Sequence, residues 1–298
     1  MKKYDCSCIG RICIDYLVLV EKYPEIDTKL PLLKYKTCLG GQATTAAIVL
    51  SYLGVKTSLL TTVGKDDNFI LVKKLIKQHK KLKTFFVVKK ELKTPVAFIF
   101  VDKTTATRTI VYEKVSTKNK CLYPQELLTK IIKQSKFILF DHQSSKDIYI
   151  LKELFNKYNT KLMMDAERND KYMFKMLKYI NYFVCSSELA KDLNLNIKQL
   201  LKKFISLGPQ IVCCTLGKDG AVAVCKENPN KFYYSKPPKV KSIDTTGAGD
   251  VFHAGFMYGL IKGWRIKEIL SFANKLAALS TKYIGGSSFL NKEKYNLF

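Results

Sequence analysis

Short apolar runs alternate along the chain with stretches whose apolar positions recur at helical spacing. Residues 136–143 (KFILFDHQ), 161–167 (KLMMDAE), 182–188 (YFVCSSE) and 210–217 (QIVCCTLG) read as buried strands. Helical periodicity lies between them, which predicts βα units and a mainly parallel sheet. Ligands of such sheets bind beyond the carboxyl ends of the strands. Asp141, Asp165, Ser186, Ser187 and Thr215 all fall at such ends.

Two regions break the alternation. Residues 14–37 carry two strand-like runs with a proline between them, and residues 94–113 (TPVAFIFVDKTTATRTIVYE) read as a hairpin. Four strands without helices predict a small second sheet lying over a site as a cover. After Gly41, the positions Ala43, Ala46, Ala47, Leu50 and Leu53 share one helical face, and Gly54 supplies a stop. Gly40 and Gly41 before this helix would let backbone approach a ligand. The stretch 71–83 (LVKKLIKQHKKLK) predicts an amphipathic helix with a solvated lysine face.

Charge changes this picture little. The 298 residues carry 51 basic and 25 acidic side chains, a net charge of +26. The excess is nearly all lysine and is spread along the chain, so a dedicated nucleic-acid surface is not expected. The field would still attract an anionic ligand such as a nucleotide. No run of about 18 apolar residues exists to cross a membrane. Nine cysteines lack zinc-ligand spacing and sit mostly in apolar runs, as expected of reduced thiols in a cytoplasmic protein. The N-terminal stretch reads as a first strand.

The chemistry gathers in SIDTTGAGDVFHAGF, Ser242 to Phe256. Phe252, Gly255, Phe256, Gly259 and Leu260 share a helical face, so a helix starts near Ala248 or Gly249. Its first amides lack intrahelical acceptors and carry partial positive charge, and the glycines keep them accessible to a phosphate or oxyanion. Asp250 follows in the first turn. Local physics leaves two readings open, a complement to the helix dipole or a general base beside an anion hole. Other phosphate motifs fail. Gly64-Lys65 and Gly217-Lys218 are each followed by aspartate rather than the Ser or Thr of a P-loop, and Phe252 stands where a dinucleotide fingerprint needs its third glycine. His79, His142 and His253 form no metal spacing.

The stretch DTTGAGDVFHAGF resembles the C-terminal signature of the PfkB, or ribokinase-like, carbohydrate kinases. Asp244, Thr245, Gly247, Ala248, Gly249, Asp250, Ala254 and Gly255 all fit it. The resemblance covers nearly the whole chain. CIGRICIDYLVLVEKYP is similar to the family's first strands, with Asp15 at the sugar-contacting aspartate. GGQATTAAIVLSYLG is similar to its di-glycine motif, residues 94–113 to its lid hairpin, TLGKDGA to its nucleotide loop, and FANKLAAL to a late helix whose asparagine lies by the adenine, here Asn274.

The resemblance implies one ribokinase-like domain over 1–298, a three-layer α/β/α fold with a mainly parallel sheet and a β lid from 14–37 and 94–113. It implies transfer of the ATP γ-phosphoryl group to a sugar hydroxyl, with Mg²⁺. Asp250 would be the base, with Gly247, Ala248 and Gly249 as anion hole. Asp15, Gly41, Gln42, Thr45 and Arg108 would face the sugar, and Ser186, Thr215, Gly217, Gly220 and Asn274 the nucleotide. A monovalent cation beside Asp244 and Thr246, and a homodimer through the lid sheet, are further implications. No nucleic acid or membrane partner is implied.

Several positions depart from the family pattern. Thr45 stands where asparagine is usual and Gln42 where ribokinase has lysine, which argues against ribose. With RTIV and DVFHAG, these look more like ketohexokinase and sulfofructose kinase relatives. Leu189 occupies the place of a glutamate that organises metal-bound water, Glu188 is one residue early, and the metal ligands stay unassigned. Phe69 and the hairpin 104–106 replace usual glycines. Alternatives are a nucleoside or sugar-phosphate kinase of the same fold, or an idle ligand-binding homologue.

Overall fold

A computed structural model describes residues 1–114 and 121–292. In chain order the first strands are β1 (Tyr4–Ile9), β2 (Cys13–Val20) and β3 (Lys34–Gly40), followed by α1 (Gln42–Tyr52), β4 (Thr57–Val63), α2 (Asp67–Ile76) and β5 (Lys83–Val88). A hairpin of β6 (Val96–Asp102) and β7 (Arg108–Tyr112) precedes α3 (Gln125–Gln134) and β8 (Ser135–Asp141). Next come α4 (Ser145–Ile150), α5 (Lys152–Lys157), β9 (Lys161–Ala166), α6 (Lys171–Met176), β10 (Tyr182–Ser186), α7 (Ser187–Asp192) and α8 (Ile197–Ser206). The last elements are β11 (Ile211–Thr215), β12 (Ala221–Cys225), β13 (Asn228–Ser235), α9 (Ala248–Ile261) and α10 (Ile266–Ser280).

The main sheet has the order β13-β12-β11-β10-β9-β8-β1-β4-β5. It is parallel from β11 to β5, and β12 and β13 add an antiparallel edge. Its inner strands are buried on both faces, so neighbouring residues serve opposite cores. Leu59, Leu139, Met163, Val184 and Cys213 pack toward α1, α9 and α10. Leu60, Phe140, Met164, Phe183 and Cys214 pack toward the helices of the other layer. The adjacent Cys213 and Cys214 thus lie on opposite faces, and all nine cysteines are free. The three layers are those of the ribokinase-like fold. Buried hydroxyls cross the sheet where Ser7 Oγ bonds both Ser58 Oγ and Ser135 Oγ, each at 2.6 Å.

The smaller sheet has the order β3-β2-β6-β7, with β2 and β6 parallel and the flanking pairs antiparallel. Asp15, Leu17 and Leu19 share the face that holds Ala97, Ile99 and Val101. Leu17, Ala97, Ile99 and Val101 on that face pack with Ile284 of the main body. The two strand-like runs of 14–37 and the hairpin of 94–113 thus form the one small sheet expected of them.

Two expectations shift. The helical pattern of 71–83 stops at Ile76; 77–82 turn, Leu82 is buried, and Lys83 already belongs to β5. The helix begins earlier, where Asp66 accepts the Phe69 amide at 2.9 Å and the Thr94 amide at 2.7 Å, tying its cap to the lid hairpin. Helix α1, expected to bury one face, is buried from Ala43 to Ser51 because it runs between sheet and α9. No helix among the described residues is long and apolar enough to cross a membrane.

Candidate active site

Helix α9 starts where Gly247 takes φ 73° as N-cap, a conformation that favours glycine. A Cβ there would lie 2.9 Å from Gly286 Cα, so the turn also needs close backbone approach. The Ala248 amide donates to Thr245 O at 3.2 Å, and the Val251 amide to Gly247 O at 2.9 Å. The amides of Gly249 and Asp250 have no acceptor among the described residues. Gly249 is exposed, and a Cβ on it would meet nothing within 4 Å. Two donors at the positive end of a fourteen-residue helix thus face open space beside the Asp250 carboxylate.

Asp250 is half-buried. Desolvation, then the charge of Asp165, push its carboxyl up to about 8; Glu167 and Asp15 add to this and His253 opposes it. No ion pair holds it among the described residues. The site thus holds a carboxyl with raised proton affinity and no cationic partner among the described residues, beside two unpaired amides.

The lid supplies Asp15, which is 8% exposed. A Cβ on Gly40 would fall 2.1 Å from Asp15 Oδ2, so the carboxylate occupies the space that this glycine leaves free. Burial raises Asp15 to about 6, against the Cys13 thiol that donates to its Oδ1 at 3.1 Å. Gly41 has φ 98°, and a Cβ on it would strike Arg11 O at 2.3 Å. Gln42 opens α1 and is half-buried, whereas Thr45 is buried. Thr45 Cγ2 would lie 3.7 Å from a Cβ on Gly247, so the helix after the two glycines reaches the turn that starts α9. Arg108 Nη1 on β7 reaches Thr245 Oγ1 at 3.0 Å.

The expected nucleotide residues line the carboxyl ends of β10 and β11. Ser186 pairs in register with Thr215, whose Oγ1 donates to Cys185 O at 3.3 Å. Gly217 has φ 59° and open space around it. Gly220 has φ 93°, and a Cβ on it would lie 2.0 Å from Ser235 O. Asn274 is 4% exposed and donates to the same Ser235 O at 2.9 Å. Its amide therefore fastens α10 to the end of β13.

The remaining strand-end groups separate. Asp141 accepts the Ser144 amide at 3.2 Å and the Arg11 amide at 2.7 Å, so it caps a turn and ends β8. Asp244 accepts the Thr246 and Gly285 amides, both at 2.8 Å, and Thr246 Oγ1 is buried without a partner among the described residues. Glu188 is exposed and pairs with Lys191 at 2.8 Å, while Leu189 is fully buried. No group of three or more His, Cys, Asp or Glu among the described residues is placed to cage a metal.

In the sequence Asp165 was legible only as a strand-end carboxylate and His253 only as a histidine without metal spacing; the structure joins them. His253 Nδ1 lies 2.7 Å from Gly249 O, and Nε2 lies 3.3 Å from Asp165 Oδ1 and 3.4 Å from Val184 O. The available signal was the spacing of four between Gly249 and His253, which stacks them on one helical face.

A family model described as pfkB family carbohydrate kinase matches residues 3–293. An ATP-dependent 6-phosphofructokinase of Thermoanaerobacterium thermosaccharolyticum is 28% identical over 95% of this chain and 90% of its own. The ketohexokinase of Mus musculus is 23% identical over 93% and 96%. The solved Arabidopsis thaliana ribokinase, complexed with ribose and ATP, superposes with a TM-score of 0.76 at 18% identity, over 100% of this chain and 99% of that one.

Proposed function

Because the chain belongs to the pfkB family of carbohydrate kinases, we propose that it transfers the γ-phosphoryl group of ATP to a hydroxyl of a small ketose-like sugar. Asp250 takes the hydroxyl proton as the oxygen attacks in line, and the open amides of the Gly247-Ala248-Gly249-Asp250 turn receive the charge of the moving phosphoryl group. The observation that carries this reading is the juxtaposition of an unpaired carboxyl and unpaired amides at one helix mouth.

Asp15, Gly41, Gln42, Thr45 and Arg108 hold the sugar beneath the lid. Ser186, Thr215, Gly217 and Gly220 border the nucleotide, with Asn274 fixing the strand end beside it. Mg²⁺ neutralises phosphate charge when bound. With no protein cage among the described residues, it suits a cation that keeps its waters and rides on the phosphates. Asp244 and Thr246 are the place for a monovalent cation, and the lid sheet the place for a second copy. Residues 1–298 act as one catalytic unit.

A sugar phosphate is the second reading. Arg168, after β9, stands close enough to Tyr112 of β7 for that phenol to hold its guanidinium above the usual range, and so places a second positive charge beside the lid strand that bears Arg108. The 6-phosphofructokinase relative favours the same acceptor class. ADP release measured across ketoses, aldoses, nucleosides and sugar phosphates tests both. Turnover confined to nucleosides, or none at all, rejects both.

A further inference from the structure

Resting on that kinase reading, we propose that His253 is a positioning residue for phosphoryl transfer. Clamped between Asp165 and the Gly249 carbonyl, it holds the first turn of α9 so that the Gly249 amide and the Asp250 carboxylate stay aimed at the acceptor.

The argument starts from hydrogen-bond chemistry. A carbonyl oxygen only accepts, so the 2.7 Å contact with Gly249 O requires the proton on His253 Nδ1. Nε2 then faces Asp165 Oδ1 at 3.3 Å, with Val184 O at 3.4 Å. The Asp165 contact closes only with a proton between the two groups, either as imidazolium and carboxylate or as imidazole and carboxylic acid. Asp165 is 2% exposed and His253 5%, so little water competes for that contact. Asp165 Oδ2 has no partner among the described residues. An unclamped buried carboxyl would be costly, which makes the ring its main support.

The clamp acts on the chemistry through Gly249, whose amide is one of the two open donors and whose carbonyl the ring grips. Several charged groups face the assembly. Asp165 is flanked by Glu167 just past the end of its own strand and Asp141 on β8; His253 faces Asp250 and Glu167; Asp250 also sees Asp15 from the lid. Burial disfavours the charged form of both partners, raising Asp165 and lowering His253.

His253→Leu, His253→Asn and Asp165→Asn test the clamp with the best acceptor of the panel. Asparagine can still donate to Gly249 O from the Nδ1 position but cannot reach Asp165. His253→Leu is expected to lower kcat on the order of 10²-fold with the KM for ATP near wild type. His253→Asn should recover most of that loss. Asp165→Asn removes a carboxyl that opposes ionisation of Asp250 and should move the acidic limb of kcat/KM to lower pH. The ¹⁵N ring spectrum of the wild-type protein should show a protonated Nδ1.

The proposal is overturned if His253→Leu keeps kcat within about threefold, or if His253→Asn binds ATP normally yet restores nothing. An unprotonated Nδ1 overturns it equally. A wild-type protein silent toward every acceptor defeats the kinase reading instead, and the ring spectrum then decides the clamp.

Discussion

Arg108 on the lid strand β7 donates to Thr245 Oγ1, 3.0 Å away in the loop that leads into α9. The lid sheet is thereby fastened to the turn proposed to receive phosphoryl charge. Removing this bond should loosen the acceptor more than the nucleotide. Arg108→Ala is expected to raise the acceptor KM about 3–10-fold, the worth of one exposed hydrogen bond, with ATP affinity unchanged. Steady-state kinetics with each substrate varied in turn checks this. An equal rise in both constants speaks against a lid-specific role.

Asp250→Asn should cut kcat by about 10²–10⁴-fold while ATP binding, read by calorimetry, persists.

The same substitution makes a pH prediction. The carboxyl titrates near 8 when folded and near 3.9 when unfolded. The folded state therefore binds the extra proton between these values, and stability is lost as pH rises through that window. A neutral amide lacks this loss. The asparagine variant should match wild type near pH 4 and gain thermal stability as pH rises toward 8. A scan showing the gain at acid pH instead contradicts the assignment of a raised carboxyl.

Asp15 titrates near 6, and a carboxylate accepts from sugar hydroxyls where a carboxylic acid does so poorly. The acceptor KM of the wild-type enzyme should fall as pH rises through 6. Asp15→Asn should raise it roughly 10–100-fold, the range for a bond to a charged group, and flatten that pH dependence.

Gly220→Ala tests the nucleotide side. The backbone there has φ 93° and a Cβ would lie 2.0 Å from Ser235 O. Strain of about 1–3 kcal/mol should lower thermal stability and raise the KM for ATP, with the acceptor KM little changed. Wild-type ATP kinetics in this variant argues that the loop does not border the nucleotide.

What the sequence displayed depended on how local the cause was. The start of α9 was readable because Gly247 and Gly249 frame it, and the lid because its strands lack helices between them. The end of α2 was not, since lysines and leucines keep helical spacing past Ile76 while the chain is already turning toward β5. β13 passed unseen because Pro229 lies within it and it forms the half-exposed edge of the sheet. Gly220 could be picked out as a loop glycine, yet its need for Ser235 and the tie from Asn274 belong to three separate segments. The contact of Asp165 with His253 likewise joins the end of β9 to the first turns of α9, and no pattern of spacing records it.

The parallel pairing of β2 with β6 has a mechanical consequence. Because the two hairpins come from distant parts of the chain and are stitched edge to edge, neither can swing alone; the plate tilts as a whole. One of its roots is Gly40-Gly41, which runs straight into α1, and Thr45 on that helix rests against the turn at Gly247. On the proposed function, a sugar that drew the plate down would push through α1 on the Gly247 corner proposed to receive the phosphate.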